Sequence, residues 1–302
     1  MTLLDKTLVR LLPVVPKPVV QLFSGRYIAG ATLDDAVETV RALNGEGKLA
    51  TVDVLGEEIT REDEARSIAH AYCDVLAAVA RESLDSNVSV KPTALGLDLA
   101  YELCLENLET ILREADKNGN FVRIDMEDSS TTSDTIRIYR ELRERGHDNV
   151  GIVLQAYLRR TLDDVRSLTD LDANVRLCKG IYVEPSSIAF TDYDAVRANY
   201  VAALDALLAT GAYVGIATHD EWLIGEALRR VQNMDATAYE FQMLLGVRER
   251  RATELVDAGH RLRVYVPYGE QWYEYSLRRL QENPAMAGTI ARATVGRVLG
   301  RG

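Results

Sequence analysis

The sequence predicts an α/β protein: a (β/α)8 TIM-like barrel with an N-terminal helical arm and, after the eighth strand, a helix placed to clamp a ligand. Three observations predict it. From about residue 48 onward short β-type runs alternate with amphipathic helical runs, eight such strand–helix units follow one another, and no low-complexity linker divides them. Alternation of this kind builds a parallel sheet, and eight units close it into a barrel, for which 302 residues suffice. An open dinucleotide-binding sheet is disfavoured because no GxGxxG follows the first strand run. The expectation is one domain over 1–302, with the arm at 1–47 and the barrel at 48–302.

The arm reads as two or three helices, the last opened by Thr32 as N-cap of LDDAVETVRAL. The first strand is ATVDVL (50–55), followed by a helix over 60–83. VSVKP (88–92) precedes a helix over 98–117, FVRID (121–125) one over 132–145, and GIVLQA (151–156) one over 161–168. NVRLCK (174–179) leads to 192–209, YVGIAT (213–218) to 221–232, and YEFQML (239–244) to 247–258. RLRVYVP (261–267) is the eighth strand and 270–283 its helix.

Alternation along each strand sorts polar from apolar residues. Lys91 shares a face with Ser89 against Val88 and Val90, and Arg123 and Asp125 share one against Val122 and Ile124. Gln155 opposes Ile152 and Leu154, while Arg263 and Tyr265 oppose Leu262, Val264 and Val266. The apolar parity meets the helices, so the polar parity points into the barrel and the last member of each set sits at a strand's carboxyl end, where barrel enzymes build their sites. A lone residue of this kind serves equally as a loop anchor. Lys91, Asp125, Gln155, Arg176, Lys179, His219 and Tyr265 converging from different strands point instead to a site for a polar, anionic ligand, because burying unpaired charge is costly. In the last helix Tyr275, Arg278, Arg279 and Glu282 form one stripe at i, i+3, i+4 and i+7. It reads either as a solvated face with an Arg278–Glu282 pair or as a paired guanidinium clamp for a carboxylate. In RLCKG, Arg176 and Lys179 suit one large anionic cofactor or salt bridges to neighbouring loops.

Composition narrows the partners. Lys and Arg number 35 against 46 Asp and Glu, a net charge of −11, which argues against a nucleic-acid binder and against adhesion to anionic lipid by global charge. Cys73, Cys104 and Cys178 form no CxxC pair, so a reducing, cytoplasmic setting fits, and the four histidines show no metal-ligand spacing. No apolar run approaches the roughly 18 residues of a membrane span. The proline-broken stretch LVRLLPVVPKPVVQLF makes a poor signal peptide, yet the first thirty residues carry Lys6, Arg10, Lys17 and Arg26 against Asp5 alone. That arm suits barrel capping, oligomer packing or peripheral contact with the inner face of the plasma membrane.

Taken together, VSVKPTALG, RIDMED, VLQAYLRRT, RLCKGIYVEP, IATHD, YEFQMLLG and VYVPYGEQWYEYSLRRLQEN resemble the proline dehydrogenase family, in this order over roughly 88–283. These are flavin-dependent enzymes that oxidise proline in the first step of its catabolism, and the helical arm resembles that of the monofunctional bacterial form. The resemblance implies FAD held non-covalently over the strand ends by Met126, Gln155, Arg176, Lys179, Gly180, Ile181, Thr218, His219 and Gln242. It places Lys91, Asp125, Tyr265, Arg278 and Arg279 around L-proline, with Glu282 ion-pairing an arginine. Arg176 and Asp125 carry the catalytic roles, Arg176 by stabilising charge on the reduced flavin and Asp125 by tethering Lys91 or Arg279. The family usually has Ala where this chain has Ile181, and Val where it has Cys178, read here as a packing variant. The acceptor implied is a membrane quinone, and pyrroline-5-carboxylate dehydrogenase is expected on a separate chain. The alternatives are a flavin barrel acting on hydroxyproline or another cyclic amino acid, against which the bulk of Tyr265 counts, a Schiff-base aldolase using Lys91 or Lys179, and a non-catalytic barrel binding an acidic ligand.

Overall fold

The computed structural model describes residues 25–56 and 59–273. Its elements in chain order are α1 (Leu33–Gly45), β1 (Leu49–Val54), α2 (Glu62–Arg81), β2 (Ser86–Val90), α3 (Tyr101–Lys117), β3 (Val122–Ile124), α4 (Thr132–Glu144), β4 (Val150–Gln155), α5 (Thr161–Ser167), β5 (Asn174–Cys178), α6 (Tyr193–Ala209), β6 (Tyr213–Ala217), α7 (Glu221–Val231), β7 (Tyr239–Leu244), α8 (Glu249–Asp257) and β8 (Leu262–Tyr268). The eight strands are all parallel and close in sequence order, β1 pairing with both β2 and β8. The (β/α)8 expectation holds.

The element ends differ from the sequence reading by a few residues, for local reasons. The helix expected at 98 begins at Tyr101 because 92–99 are spent on tight turns, with Gly96 N–H bonded to Thr93 O and Ala100 N–H to Gly96 O. The one expected at 247 begins at Glu249 because Arg248 takes a left-handed conformation, φ 51°, which no helix continues through. Arg278, Arg279, Glu282 and most of the last helix lie outside the described residues, as do residues 1–24 of the arm.

Helix α1 supplies the wall where β8 meets β1, packing on both strands. Thr32 opens it as expected: its hydroxyl accepts from Asp35 N–H while Asp35 returns a bond to Thr32 N–H, a reciprocal capping box. Thr32→Ala should lower stability by about 1 kcal/mol in urea unfolding, since the Asp35 N–H loses its hydroxyl acceptor.

The two strand parities also separate as expected. Val88, Val90, Val122, Ile124, Ile152, Leu154, Leu262, Val264 and Val266 join the helices in one apolar core. The opposite parity fills the barrel with polar side chains. Arg123 is almost fully buried there and is held by the carbonyls of Ile152 (3.0 Å) and Asn174 (2.7 Å) and by the Asn174 side chain. Burial, helped by nearby Arg176, pulls the Arg123 pKa below its ordinary value. Glycines make the room: a Cβ on Gly151 would come within 2.4 Å of Arg123 Nη1, and one on Gly215 within 2.5 Å of Gln242 Nε2. Long side chains thus lie across the barrel where β4 and β6 present none.

Candidate active site

Two linked networks occupy the carboxyl ends of the strands. In the first, Lys91, the residue after β2, donates to both Asp53 oxygens at 2.8 Å each, and Asp53 also accepts from the Tyr72 hydroxyl at 3.0 Å. Asp53 itself is fully buried. Burial opposes the charged form of Lys91, but Asp53 and then Asp125 outweigh it, and the Lys91 pKa rises above the ordinary lysine value. The second network centres on Asp125, the residue after β3. Its Oδ1 accepts from Ser89 Oγ (2.7 Å) and Arg176 Nη1 (2.8 Å), and its Oδ2 accepts from the Tyr265 hydroxyl (3.1 Å). Tyr265 joins the two, with Lys91 Nζ 3.5 Å from its hydroxyl and the Arg176 guanidinium 5.5 Å from its ring centre.

Of the two tethers expected for Asp125, the one to Lys91 is assigned differently, since Asp53 holds Lys91 and Asp125 holds Arg176, and the one to Arg279 lies outside the described residues. A raised lysine pKa also disfavours a Schiff-base enzyme at Lys91, which needs the neutral amine. Lys179 in turn lies 3.4 Å from the carboxylate of Asp220.

Arg176 spans the barrel. Its Nε donates to Gln242 Oε1 at 2.5 Å, whereas its Nη2 is buried without a hydrogen-bond partner among the described residues. Gln155, at the end of β4, donates to the carbonyls of Met126 (3.1 Å) and Glu127 (2.6 Å), which fixes the backbone after β3 and buries Met126. Gly180 has φ 101°, and a Cβ there would meet the Tyr157 ring at 2.1 Å, so the turn after β5 requires glycine on two counts. Ile181 is 50% exposed, so the larger side chain displaces no core residue. Burial pushes the Cys178 thiol up to about 11 even beside Arg176, which keeps it protonated and suits a packing role.

A third group lies beyond β5 and β6. Asp220 caps α7 through Trp222 N–H and receives Arg197 at 2.7 and 3.0 Å and the Tyr193 hydroxyl at 2.6 Å. Thr218 Oγ1 accepts from Asp220 N–H, and His219 Nε2 accepts from Leu244 N–H. Burial raises the Asp220 pKa, but Arg197, Tyr193 and Lys179 overcome it and hold the carboxyl well below the usual range. A depressed folded pKa contributes stability that is present above the unfolded value, about 3.9, and is lost as pH falls through the folded one. Asp220→Asn should therefore lower the urea midpoint at pH 7, and the gap from the parent should narrow as pH falls below about 4.

Asp53, Tyr72, Glu240, Asp220 and Arg197 join these networks without having been expected from the sequence. Asp53 and Glu240 were within reach of the same parity rule, in ATVDVL and YEFQML. Arg197 and Tyr72 lie on helices and meet the site only through the fold. A cavity of about 750 Å³ lies elsewhere, on the outer wall between α1 and α8, and touches none of the converging side chains. The strand ends, with their paired charges, are the candidate site.

Comparison with known proteins identifies the family. The family model described as Proline dehydrogenase matches residues 36–292. The chain is 40% identical over 274 residues to Proline dehydrogenase 1 of Bacillus subtilis, covering 90% of each. It is 36% identical over 273 residues to Proline dehydrogenase of Deinococcus radiodurans, covering 88% of each. Among solved structures, proline utilization A from Bdellovibrio bacteriovorus, inactivated by N-propargylglycine, superposes with a TM-score of 0.80 at 28% identity over 86% of this chain. The chain spans 32% of that protein's length. Proline utilization A from Corynebacterium freiburgense, at 22% identity and a TM-score of 0.78, shares the fold; the match covers 97% of this chain and 34% of that one.

Proposed function

The chain belongs to the proline dehydrogenase family, and from that premise we propose that it oxidises L-proline to Δ1-pyrroline-5-carboxylate with FAD as cofactor and a quinone as electron acceptor. The observation that carries the FAD assignment is Arg176: a guanidinium anchored by Asp125, Ser89 and Gln242 whose remaining nitrogen is buried without a partner among the described residues. A buried donor of this kind fits the acceptor-rich edge of an isoalloxazine ring. Bound FAD supplies the two-electron acceptor for the C5–H bond, chemistry no side chain provides.

The residues that would hold FAD are Met126, Gln155, Arg176, Lys179, Gly180, Ile181, Thr218, His219 and Gln242. Arg176 is held rigid by three hydrogen-bonded partners, so it stabilises developing negative charge without reorganising. Lys91 and Tyr265 form one wall of the substrate space, and Asp125 fixes Tyr265 and Arg176 together. Two of the three Lys91 protons are committed to Asp53, so Lys91 offers a substrate carboxylate its charge and at most one hydrogen bond. The main carboxylate clamp in this reading is Arg278 with Arg279, ordered by Glu282; all three lie outside the described residues. The ring nitrogen loses its proton to solvent as C5 loses hydride.

Arm (1–47) and barrel act as one unit in this reading, supported by the packing of α1 on β1 and β8. No helix among the described residues is long and apolar enough to cross a membrane. We place the protein in the cytoplasm, meeting the quinone by peripheral contact at the membrane's inner face, with the imine product passed to a separate pyrroline-5-carboxylate dehydrogenase. The test is proline-dependent reduction of a soluble quinone analogue by the FAD-loaded protein. Turnover with L-proline above that with hydroxyproline supports the reading, and reduction by neither removes it.

A further inference from the structure

One layer deeper in the barrel than Gln242, on the same face of β7, lies Glu240, which nothing in the proposed chemistry uses. It is almost fully buried. Its Oε1 accepts from Gln242 Nε2 at 2.6 Å and from Arg263 Nε at 2.7 Å, and its Oε2 accepts from Arg263 Nη2 at 3.1 Å. Arg263 is fixed in turn by the carbonyl of Ala50 at 2.5 Å. Burial works against ionisation of Glu240, but Arg263 outweighs it and holds the carboxyl below its ordinary pKa.

An ionised carboxylate accepts only, whereas a glutamine amide has one accepting and one donating end. Glu240 therefore takes the NH2 end of Gln242, which turns Oε1 to Arg176 Nε, a donor that needs an acceptor. Were the amide reversed, Oε1 would face a carboxylate and Nε2 a guanidinium, two repulsive contacts. Gly215, beside Arg176 on β5 and Glu240 on β7 in the register, leaves the space in which Gln242 lies. A Cβ there would come within 2.5 Å of Gln242 Nε2 but only within ordinary contact, 3.5 Å, of Arg176 Cα.

We propose that Glu240 is a positioning residue: through the amide of Gln242 it sets the orientation of Arg176, and so the direction in which its buried Nη2 is presented to the cofactor. The relay runs Arg263, Glu240, Gln242, Arg176, Asp125, Tyr265. Only the naming of the cofactor rests on the proposed function; the relay is a property of the folded chain.

The test uses the whole protein labelled with 15N-arginine, with the Arg176 Nε–H resonance identified by its loss in Arg176→Lys. In Glu240→Gln the resonance should move although Glu240 bonds to Gln242 and Arg263 and not to Arg176. Gly215→Ala, which displaces Gln242 and leaves the Glu240–Arg263 pair in place, should move it too. In the FAD-loaded protein both variants should shift the flavin reduction potential and lower kcat about tenfold, with KM for proline within about twofold. The double variant should do little more than either alone, as expected for members of one relay. A Glu240 that only stabilises the barrel would lower the unfolding midpoint and leave resonance and potential unmoved, which overturns the proposal, as does full additivity. If Glu240→Gln does not fold, Gly215→Ala decides. A resonance that moves in a protein not reduced by proline would refute the enzymatic reading and uphold the relay.

Discussion

Arg176→Ala is expected to lower kcat/KM for proline by about two to three orders of magnitude, the loss seen when a preorganised donor to developing negative charge is removed. The expectation follows from how fully the side chain is committed: Nε to Gln242, Nη1 to Asp125 and Ser89, and Nη2 buried without a partner among the described residues. Truncation also removes the Arg176 cation from Asp125, leaving on it, among the described residues, the Ser89 and Tyr265 hydroxyls. Arg176→Lys should recover only part of the loss, because one ammonium cannot reach Gln242, Asp125 and the cofactor side at once. Steady-state kinetics with proline, combined with the flavin reduction potential, checks this. Near-parent turnover and potential in Arg176→Ala would remove the assignment.

Asp53→Asn should be the most destabilising single change in the site, costing about 3–5 kcal/mol, as when one partner of a buried ion pair is lost. Asp53 has no solvent exposure, and Lys91 makes both its short hydrogen bonds to it. The double variant Asp53→Asn/Lys91→Met should cost markedly less than Asp53→Asn alone, since no ammonium is then left without its counter-ion. The pH dependence carries a definite sign. With the folded Lys91 pKa raised, the parent keeps the pair's contribution below about pH 10.4, the unfolded lysine value, and loses it as pH rises through the folded one. The deficit of Asp53→Asn in urea unfolding should thus be fully developed at pH 7.

Most of the barrel could be read from the sequence because its two periodicities are carried by local residues. Eight β-type runs alternating with helical runs fix the class, and the parity within VSVKP and FVRID places Lys91 and Asp125 at the mouth without any knowledge of strand register. Partner choice was less accessible. Nothing in the parity of β2 and β3 tells whether Lys91 meets Asp53 or Asp125; that depends on β1 lying beside β2, with Val52 opposite Val88. The fit of Gly151 to Arg123 and of Gly215 to Gln242 depends likewise on neighbours in space. Asp220 escaped because its partner Arg197 lies on α6, 23 residues away across a strand. Helix starts at Tyr101 and Glu249 were displaced by backbone turns whose cost and benefit are tertiary.

In the proposed reaction this site removes hydride from C5 of proline in the presence of FAD. Its most direct measurement is anaerobic addition of L-proline to the FAD-loaded protein with the flavin's visible absorbance followed in time. Bleaching by L-proline is expected, slowed when C5 carries deuterium and strongly slowed in Arg176→Ala. A yellow protein whose spectrum L-proline leaves unchanged, or a protein that takes up no FAD, would contradict it.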